Sequence, residues 1–372
     1  MKRILFILLF SFFAACEQKI TPSVELESRT QALMGTFVTL TLPSIHQTHI
    51  SKSFEKIKEI ENALSSYDSN ASIYRLNQKH FITYNHYVAE AIQLSQQYYK
   101  DTQGYFDITI GSISKRLYHF GEENETLPKQ EALQKAILNI DGITLTPHGI
   151  TTKKELTIDL GGIGKGYAVD KVAKYLREQN ISQGTLALSG DIRCLDRCSI
   201  ALQSPLSEEM FAQVETVKPN VSISTSGTYR RYIKKKEAHH LIDPKAKKPQ
   251  QNFISVSLFS LGDNRRLDAY ATAVSVMPPK VALAFLQKHK DISFILVKSD
   301  GKILFNNKAK VVKIQWIDYK EKASIPSSPK NRTINNPMDA NLIHPDTTNP
   351  KEINTQAPIF RSAAIKSKID IF

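Results

Sequence analysis

Four segments carry side chains whose types and spacing can do chemistry. The first runs Asp159-Leu-Gly-Gly-Ile-Gly-Lys-Gly166, an aspartate followed by glycines at 161, 162, 164 and 166. Glycines let backbone amides approach an anion closely, and a helix starting there adds its positive end. Lys165 supplies a mobile cation at the mouth of that loop, so the segment can cradle a phosphate or a diphosphate. Its G-x-G-x-G spacing matches neither GxxxxGK[ST] nor GxGxxG. Without a ligand the same glycines make only a tight strand-to-helix turn. In the second segment, Asp268 and Thr272 are four apart, which on a helix puts a carboxylate and a hydroxyl on one face. Oxygen donors without His or Cys suit a hard cation such as Mg²⁺, which keeps water and phosphate oxygens in its shell. The competing reading is an exposed helix start.

Two further segments are weaker. Thr225-Ser-Gly-Thr-Tyr229 can hold phosphate through hydroxyls and amides, and His239-His240-Leu-Ile-Asp243 follows it. Adjacent residues on a strand face opposite sides, so the two histidines do not share one ion. His240 alone is expected against a substrate ring or satisfied in the core. Gly104-Tyr-Phe-Asp107 puts aromatics beside a carboxylate, either a wall for a flat heterocycle or ordinary core. Cys194 and Cys198, four apart, are too sparse for structural zinc. They are either a small disulfide or two free thiols. No Ser/His/Asp constellation stands out.

These residues need elements to position them. Thr36 to Leu42 alternates with period two, a strand pattern. Phe54, Ile57, Ile60 and Leu64 recur at helical spacing, as do Val88, Ala91, Ile92 and Ser95. Leu156 to Leu160 reads as a short strand, Gly166 to Leu176 as a helix, and Leu186 through Ile192 as a strand. Ile254 to Leu258 reads as another strand. Asp268 to Val276 and Lys280 to Lys288 read as helices parted by Pro278-Pro279. Ile292 to Val297 and Ile303 to Phe305 form a hairpin turning at Ser299-Asp300-Gly301, and Val311 to Trp316 closes the pattern.

The 372 residues, with 49 Lys+Arg against 36 Asp+Glu, carry a net charge of +13. A chain 41% hydrophobic and 23% charged is globular, not collagen-like or polytopic. The excess is concentrated: residues 229–249 hold eight basic and two acidic residues. It suggests local attraction for an anionic ligand or an acidic patch on a partner; nucleic acid is the least expected partner, because the N-terminal residues read as an export signal. Residues 1–15 read as a signal peptide: Lys2-Arg3, an apolar run to Phe13, then Ala14-Ala15. Cys16 is placed as a lipoprotein cysteine would be, and 16–28 reads as a tether. The domain spans 29–317. Residues 318–372 hold six of the sixteen prolines and read as a disordered or linker-like tail.

In chain order these motifs resemble the ApbE family of FAD:protein FMN transferases. The resemblance rests on MGT at 34–36, LSSYDSNASIYRLN at 64–77, GYFDITIG at 104–111 and the glycine segment at 159–170. LSGDI at 188–192, the TSG-x-Y match at 224–229, H-x-I-D-P…P at 240–249 and DAYATA at 268–273 complete it. The departures are Ile108 for proline, Ser189 for glycine, Thr228 for an acidic residue, and Lys247 where a glycine usually precedes the proline. The resemblance implies an α+β, T-fold-like, two-lobed domain with mixed, largely antiparallel sheets and flanking helices. It implies Mg²⁺ held by Asp268, Thr272 and the carbonyl of Gly162. It implies FAD contacts from Met34, Tyr67, Tyr105, Phe106, Asp107, Asp159, Lys165, His240 and Ile242, with Asp268 and Lys165 catalytic. FMN would pass from FAD to a Thr or Ser hydroxyl of a partner flavoprotein, releasing AMP. Such a partner would be a subunit of an Na⁺-translocating NADH:quinone reductase or an Rnf-type complex. FAD diphosphatase activity, or a non-catalytic flavin-binding lipoprotein, are the alternatives. The expected location is the cell envelope, lipid-anchored and facing the periplasm.

Overall fold

Met34 and Gly35 both adopt positive φ, 53° and 67°, and this two-residue turn joins Leu33 to its ladder partner Thr36. Its twist matches that of the strands it connects. The computed structural model describes residues 24–317 and 342–343. The signal, Cys16 and nearly all of the tail lie outside the described residues, and so does most of the expected tether.

The strands are β1 Leu26–Leu33, β2 Thr36–Pro43, β3 Phe81–Thr83, β4 Ile143–Thr146, β5 Gly149–Thr152, β6 Thr185–Leu188 and β7 Asp191–Cys194. Then come β8 Ser199–Gln203, β9 Met210–Thr216, β10 Val221–Gly227, β11 Ile242–Asp243, β12 Lys248–Pro249 and β13 Phe253–Leu261. The last four are β14 Ser293–Lys298, β15 Ile303–Asn306, β16 Val312–Trp316 and β17 Leu342–Ile343. The helices are α1 Gln47–Leu64, α2 Ser72–Lys79, α3 His86–Asp101, α4 Gly111–Ser114, α5 Gln130–Lys135, α6 Gly164–Glu178, α7 Asn264–Val276 and α8 Pro279–Lys288. Among the described residues a nine-stranded sheet runs β1-β2-β6-β7-β10-β13-β14-β15-β17, beside smaller sheets β16-β9-β8, β3-β5-β4 and β11-β12. Every ladder given for these residues is antiparallel.

Side-chain alternation gives the large sheet two buried faces. On β14, Phe294 and Leu296 join the main core with α1, α3, α6 and α7. Ile295 and Val297 join a second core with β8, β9 and β16. A third, smaller cluster gathers Ile113, Tyr118, Phe120, Leu133, Ile233 and Ile242.

Three expectations change. Leu156 to Leu160 is extended but forms no ladder. Its backbone bonds instead to the Asn77 side chain, the Ser112 hydroxyl and the Ile108 carbonyl. Leu186 to Ile192 is not one strand: Ser189 (φ 56°) and Gly190 turn it into the β6–β7 hairpin. The helix around Asp268 starts earlier, at Asn264, with the Asp263 side chain accepting from the Arg266 amide. Cys194 and Cys198 are joined as a disulfide, with 5.7 Å between their Cα atoms.

Candidate functional site

The glycine loop is tied down before any ligand is considered. The Asp159 carboxylate accepts from the Ser114 hydroxyl at 2.7 Å and from the Gly161 amide at 2.9 Å. Burial alone would raise its pKa. The Lys115 ammonium, these two hydrogen bonds and the Arg231 charge outweigh that and hold it below the usual carboxylate range. From Gly164 the chain enters α6, and the Ile163 and Gly164 amides are bonded to the Leu160 carbonyl, at 3.1 and 2.8 Å. Gly166 has to be glycine: a Cβ there would collide with the Asn264 carbonyl and lie 2.8 Å from Asp268 Cβ. Contact that close brings α6 and α7 together, and the Gly166 amide donates to Asp268 Oδ2 at 3.0 Å.

Asp268 is 2% exposed, not at an exposed helix start. Burial first, and then the nearby Asp191 charge, push its pKa up. One turn on, Thr272 is half-buried while the residues on either side of it are buried. A Cβ on Gly162 would lie 2.9 Å from Thr272 Oγ1 and 3.2 Å from the Phe106 ring. Thr272 therefore lies against Gly162 with Phe106 as one wall, while Asp268, one helical turn before Thr272, meets the same loop at Gly166. Lys165 is not a mobile cation. Its Nζ lies 3.1 Å from Asp191 Oδ2 and 3.6 Å from Asp268 Oδ2. Burial would lower its pKa, but the two carboxylates prevail and raise it. Asp191 is fixed in turn by the Ser224 hydroxyl at 2.6 Å. The expected donors (one carboxylate, one hydroxyl and backbone oxygen) leave most of a shell to phosphate and water. That fits Mg²⁺ better than a metal needing a full protein cage. No cluster of three or more His, Cys, Asp or Glu side chains exists among the described residues to form such a cage.

A second group lies on the Asp159 side. Lys115 sits over the Tyr67 ring, 3.3 Å from its centroid. The Tyr67 hydroxyl donates to the Phe120 carbonyl at 3.0 Å. The Arg231 guanidinium bonds the same carbonyl at 2.9 Å and also bonds the Tyr67 hydroxyl. His240 Nδ1 donates to the Arg231 carbonyl at 3.1 Å, because a carbonyl can only accept. Burial and the Arg231 charge push the His240 pKa down to about 3. His240 is thus neutral, with Nε2 carrying a lone pair.

The other expected residues fall in separate places. Met34 donates its amide to Glu61 at 2.6 Å, and its methyl would lie 3.6 Å from a Cβ on Gly164. Tyr105 stacks under Lys245, whose ammonium is 4.1 Å from the ring centroid. Asp107 caps a helical turn, accepting from the Thr109 amide and hydroxyl at 2.8 and 2.7 Å. It also lines a cavity of about 470 Å³ with Lys245 and Lys247. The Ile242 side chain is buried in the third cluster. His239 bonds the Gln250 carbonyl at 2.6 Å, away from His240's partner. Asp191, Ser114, Lys115 and Arg231 were not among the expected site residues. Asp191 is the aspartate of the LSGDI motif, and Arg231 lies two residues after Tyr229. Asp191 had its motif as a signal and Arg231 the basic run 229–249, whereas Ser114 and Lys115 had none.

Fold and site together define a class: an antiparallel α+β fold with an oxygen-lined, glycine-walled cradle. The ApbE family model matches residues 34–296, and the chain belongs to that family. It is 27% identical over 319 residues to the FAD:protein FMN transferase of Escherichia coli (strain K12), covering 77% of this chain and 90% of that one. The enzyme of that name from Vibrio cholerae serotype O1 is 31% identical over 278 residues, covering 68% and 80%. The fold matches the crystal structure of the ApbE protein of Thermotoga maritima with a TM-score of 0.69, at 23% identity, over 77% of this chain and 98% of that one. It matches the Vibrio cholerae flavin transferase ApbE at 0.65 and 24%, over 77% and 98%.

Proposed function

We infer that this chain transfers the FMN half of FAD to a hydroxyl of a partner flavoprotein and releases AMP. The observation that carries this reading is the meeting of α6 and α7 at the glycine loop, where Thr272 lies against Gly162 and Asp268 bonds the Gly166 amide beside the fixed Lys165. The acceptor oxygen attacks the flavin-side phosphorus. The bond from that phosphorus to the bridging oxygen breaks, and AMP leaves with the bridging oxygen. The hydroxyl proton is lost to a base or to solvent. Asp268, Thr272 and the Gly162 carbonyl would hold Mg²⁺, which would supply charge neutralisation to the diphosphate. Lys165 adds a fixed positive charge on the same side. The positive end of α6 favours the charge of the diphosphate. Tyr67 offers a ring face and Phe106 a wall, while the neutral His240 can accept a hydrogen bond. The acceptor hydroxyl belongs to Thr or Ser, in a subunit of an Na⁺-translocating NADH:quinone reductase or Rnf-type complex.

The chain is proposed to act from the periplasmic face, anchored through Cys16. Its support is the sequence pattern at 2–16. A Cys16→Ser chain is expected in the soluble fraction, and its retention in the membrane fraction would refute the anchor.

The transfer reading is tested with the full chain, FAD, Mg²⁺ and an apo-acceptor flavoprotein, read by intact mass. The expected result is one added FMN per acceptor and at least about a hundredfold slower transfer by Asp268→Asn. Fast AMP release without any acceptor would make the chain a diphosphatase. Unchanged turnover in Asp268→Asn, or none in the parent, would leave a flavin-binding protein.

A further inference from the structure

The segment between Tyr232 and His239 is a small, anchored hairpin. Those two residues form a β-bridge. The Ile233 amide donates to the Ala238 carbonyl, and the Ala238 amide to the Lys235 carbonyl, both at 3.0 Å. Ile233 and Ala238 are buried at 2% and 6% exposure, and Ile233 packs against Phe120 and Ile242 in the third cluster. This anchoring presents Lys234, Lys235 and Lys236 together at an exposed tip. None of the three has an ion-pair partner among the described residues. Three adjacent like charges repel, and with Glu237 as the one carboxylate beside them the tip stays net positive. Lys247, by contrast, has a structural use: its ammonium bonds the Gln134 and Ala136 carbonyls at 2.9 and 2.8 Å, at the end of α5.

The base of the hairpin is part of the site. Arg231 precedes it and bonds Tyr67. His240 follows it and bonds the Arg231 carbonyl. An acceptor whose hydroxyl reaches the diphosphate must cover the mouth of the site, and its surface would then face the lysine tip. We propose that the Lys234–Lys236 tip docks the acceptor protein through a cluster of carboxylates flanking its accepting hydroxyl. This rests on the transferase reading above. Charge at the rim of an interface mainly governs encounter and partner choice, so the tip sets the acceptor's KM and not the chemistry. An anionic lipid surface is the competing partner for three lysines, but it gives no reason for the tip to share its base with the site.

The test uses the full chain with Lys234, Lys235 and Lys236 all changed to Gln. The probe is an apo-acceptor flavoprotein whose threonine is flanked by Asp and Glu, alongside a version with those residues changed to Asn and Gln. Thermal unfolding and FAD affinity should match the parent, which shows that fold and site are intact. The KM for the acidic acceptor should rise about tenfold with kcat unchanged, and its dependence on salt should weaken. The neutralised acceptor should already show the higher KM with the parent chain. If the parent transfers FMN and the triple variant keeps its KM and salt dependence, the docking proposal is wrong while the transferase reading stands. If the variant instead loses only binding to vesicles containing phosphatidylglycerol, the tip faces a membrane and docking is likewise refuted. If the parent transfers no FMN to either acceptor, the transferase reading itself fails and takes docking with it.

Discussion

His240 is neutral in the fold, and that ties stability to pH. In the unfolded chain it protonates below about 6.5, whereas in the fold its pKa is pushed down to about 3. Between these values the unfolded state binds more protons, so stability rises with pH there and is lost as pH falls. His239, lowered by burial, acts with the same sign. His240→Asn should therefore flatten the fall in urea midpoint between about pH 7 and 5, above the range where ordinary carboxylates titrate. An unchanged slope would mean that folding does not lower the His240 pKa. Two departures from the family pattern share a backbone conformation. Ser189 and Lys247 both stand where glycine is usual, and both adopt positive φ, 56° and 53°. The left-handed conformation they keep costs an L-residue about 1 kcal/mol. At Lys247 the bonds to the end of α5 offset it. Nothing in the structure explains serine at 189. The histidine pair and the glycine loop were legible from residue types. The partners of Lys165 were not, because Asp191 is 26 residues from it and reaches it only across the sheet.

At the scale of elements, the site depends on how α6 meets α7. Asp170 on α6 accepts from the Asn264 and Arg265 amides at 2.9 and 3.0 Å, at the start of α7. The buried Arg193 on β7 bonds Asp170 at 2.5 Å, Asn264 at 2.8 Å and Asn220 at 2.8 Å. This network sets where α7 begins, and hence where Asp268 and Thr272 lie. Asp170→Asn removes the charge that balances Arg193 and should destabilise the chain by about 3 kcal/mol. A denaturation midpoint within error of the parent would show that the network carries no such load. Gly166→Ala forces a Cβ against backbone that cannot move aside. It should cost about 1–3 kcal/mol by overpacking and weaken Mg²⁺ binding, measured by calorimetry in the presence of FAD. Most of these elements were legible from periodicity. The exception was 156–160, an apolar run whose backbone bonds go to side chains and loops, so its burial pattern resembles a strand without a ladder.

For the whole molecule, the large sheet lies between two cores that share β13 and β14, so the two should unfold together. The single tryptophan makes this measurable. Trp316 packs near Phe211 and Phe305 in the second core, whereas far-UV circular dichroism follows the helices of the main core. Both probes should give one denaturant midpoint. Leu296→Ala, in the main core, should shift both by the same amount, about 2–5 kcal/mol. Separate midpoints would show that the second core unfolds on its own.

By itself the sequence determined the kinds of elements, the chemistry available at each motif and the order of the motifs along the chain. It could do so because periodicity, glycine content and oxygen donors are local properties. Tertiary structure decided that Asp268 is buried, that Lys165 is clamped by Asp191, and that Tyr67, Arg231 and His240 form one group. It also decided that a basic run divides into a structural lysine at 247 and an unpaired tip at 234–236. Each of these depends on which distant backbone lies opposite. That is fixed by packing across sheets and helices, which no stretch of neighbouring residues encodes.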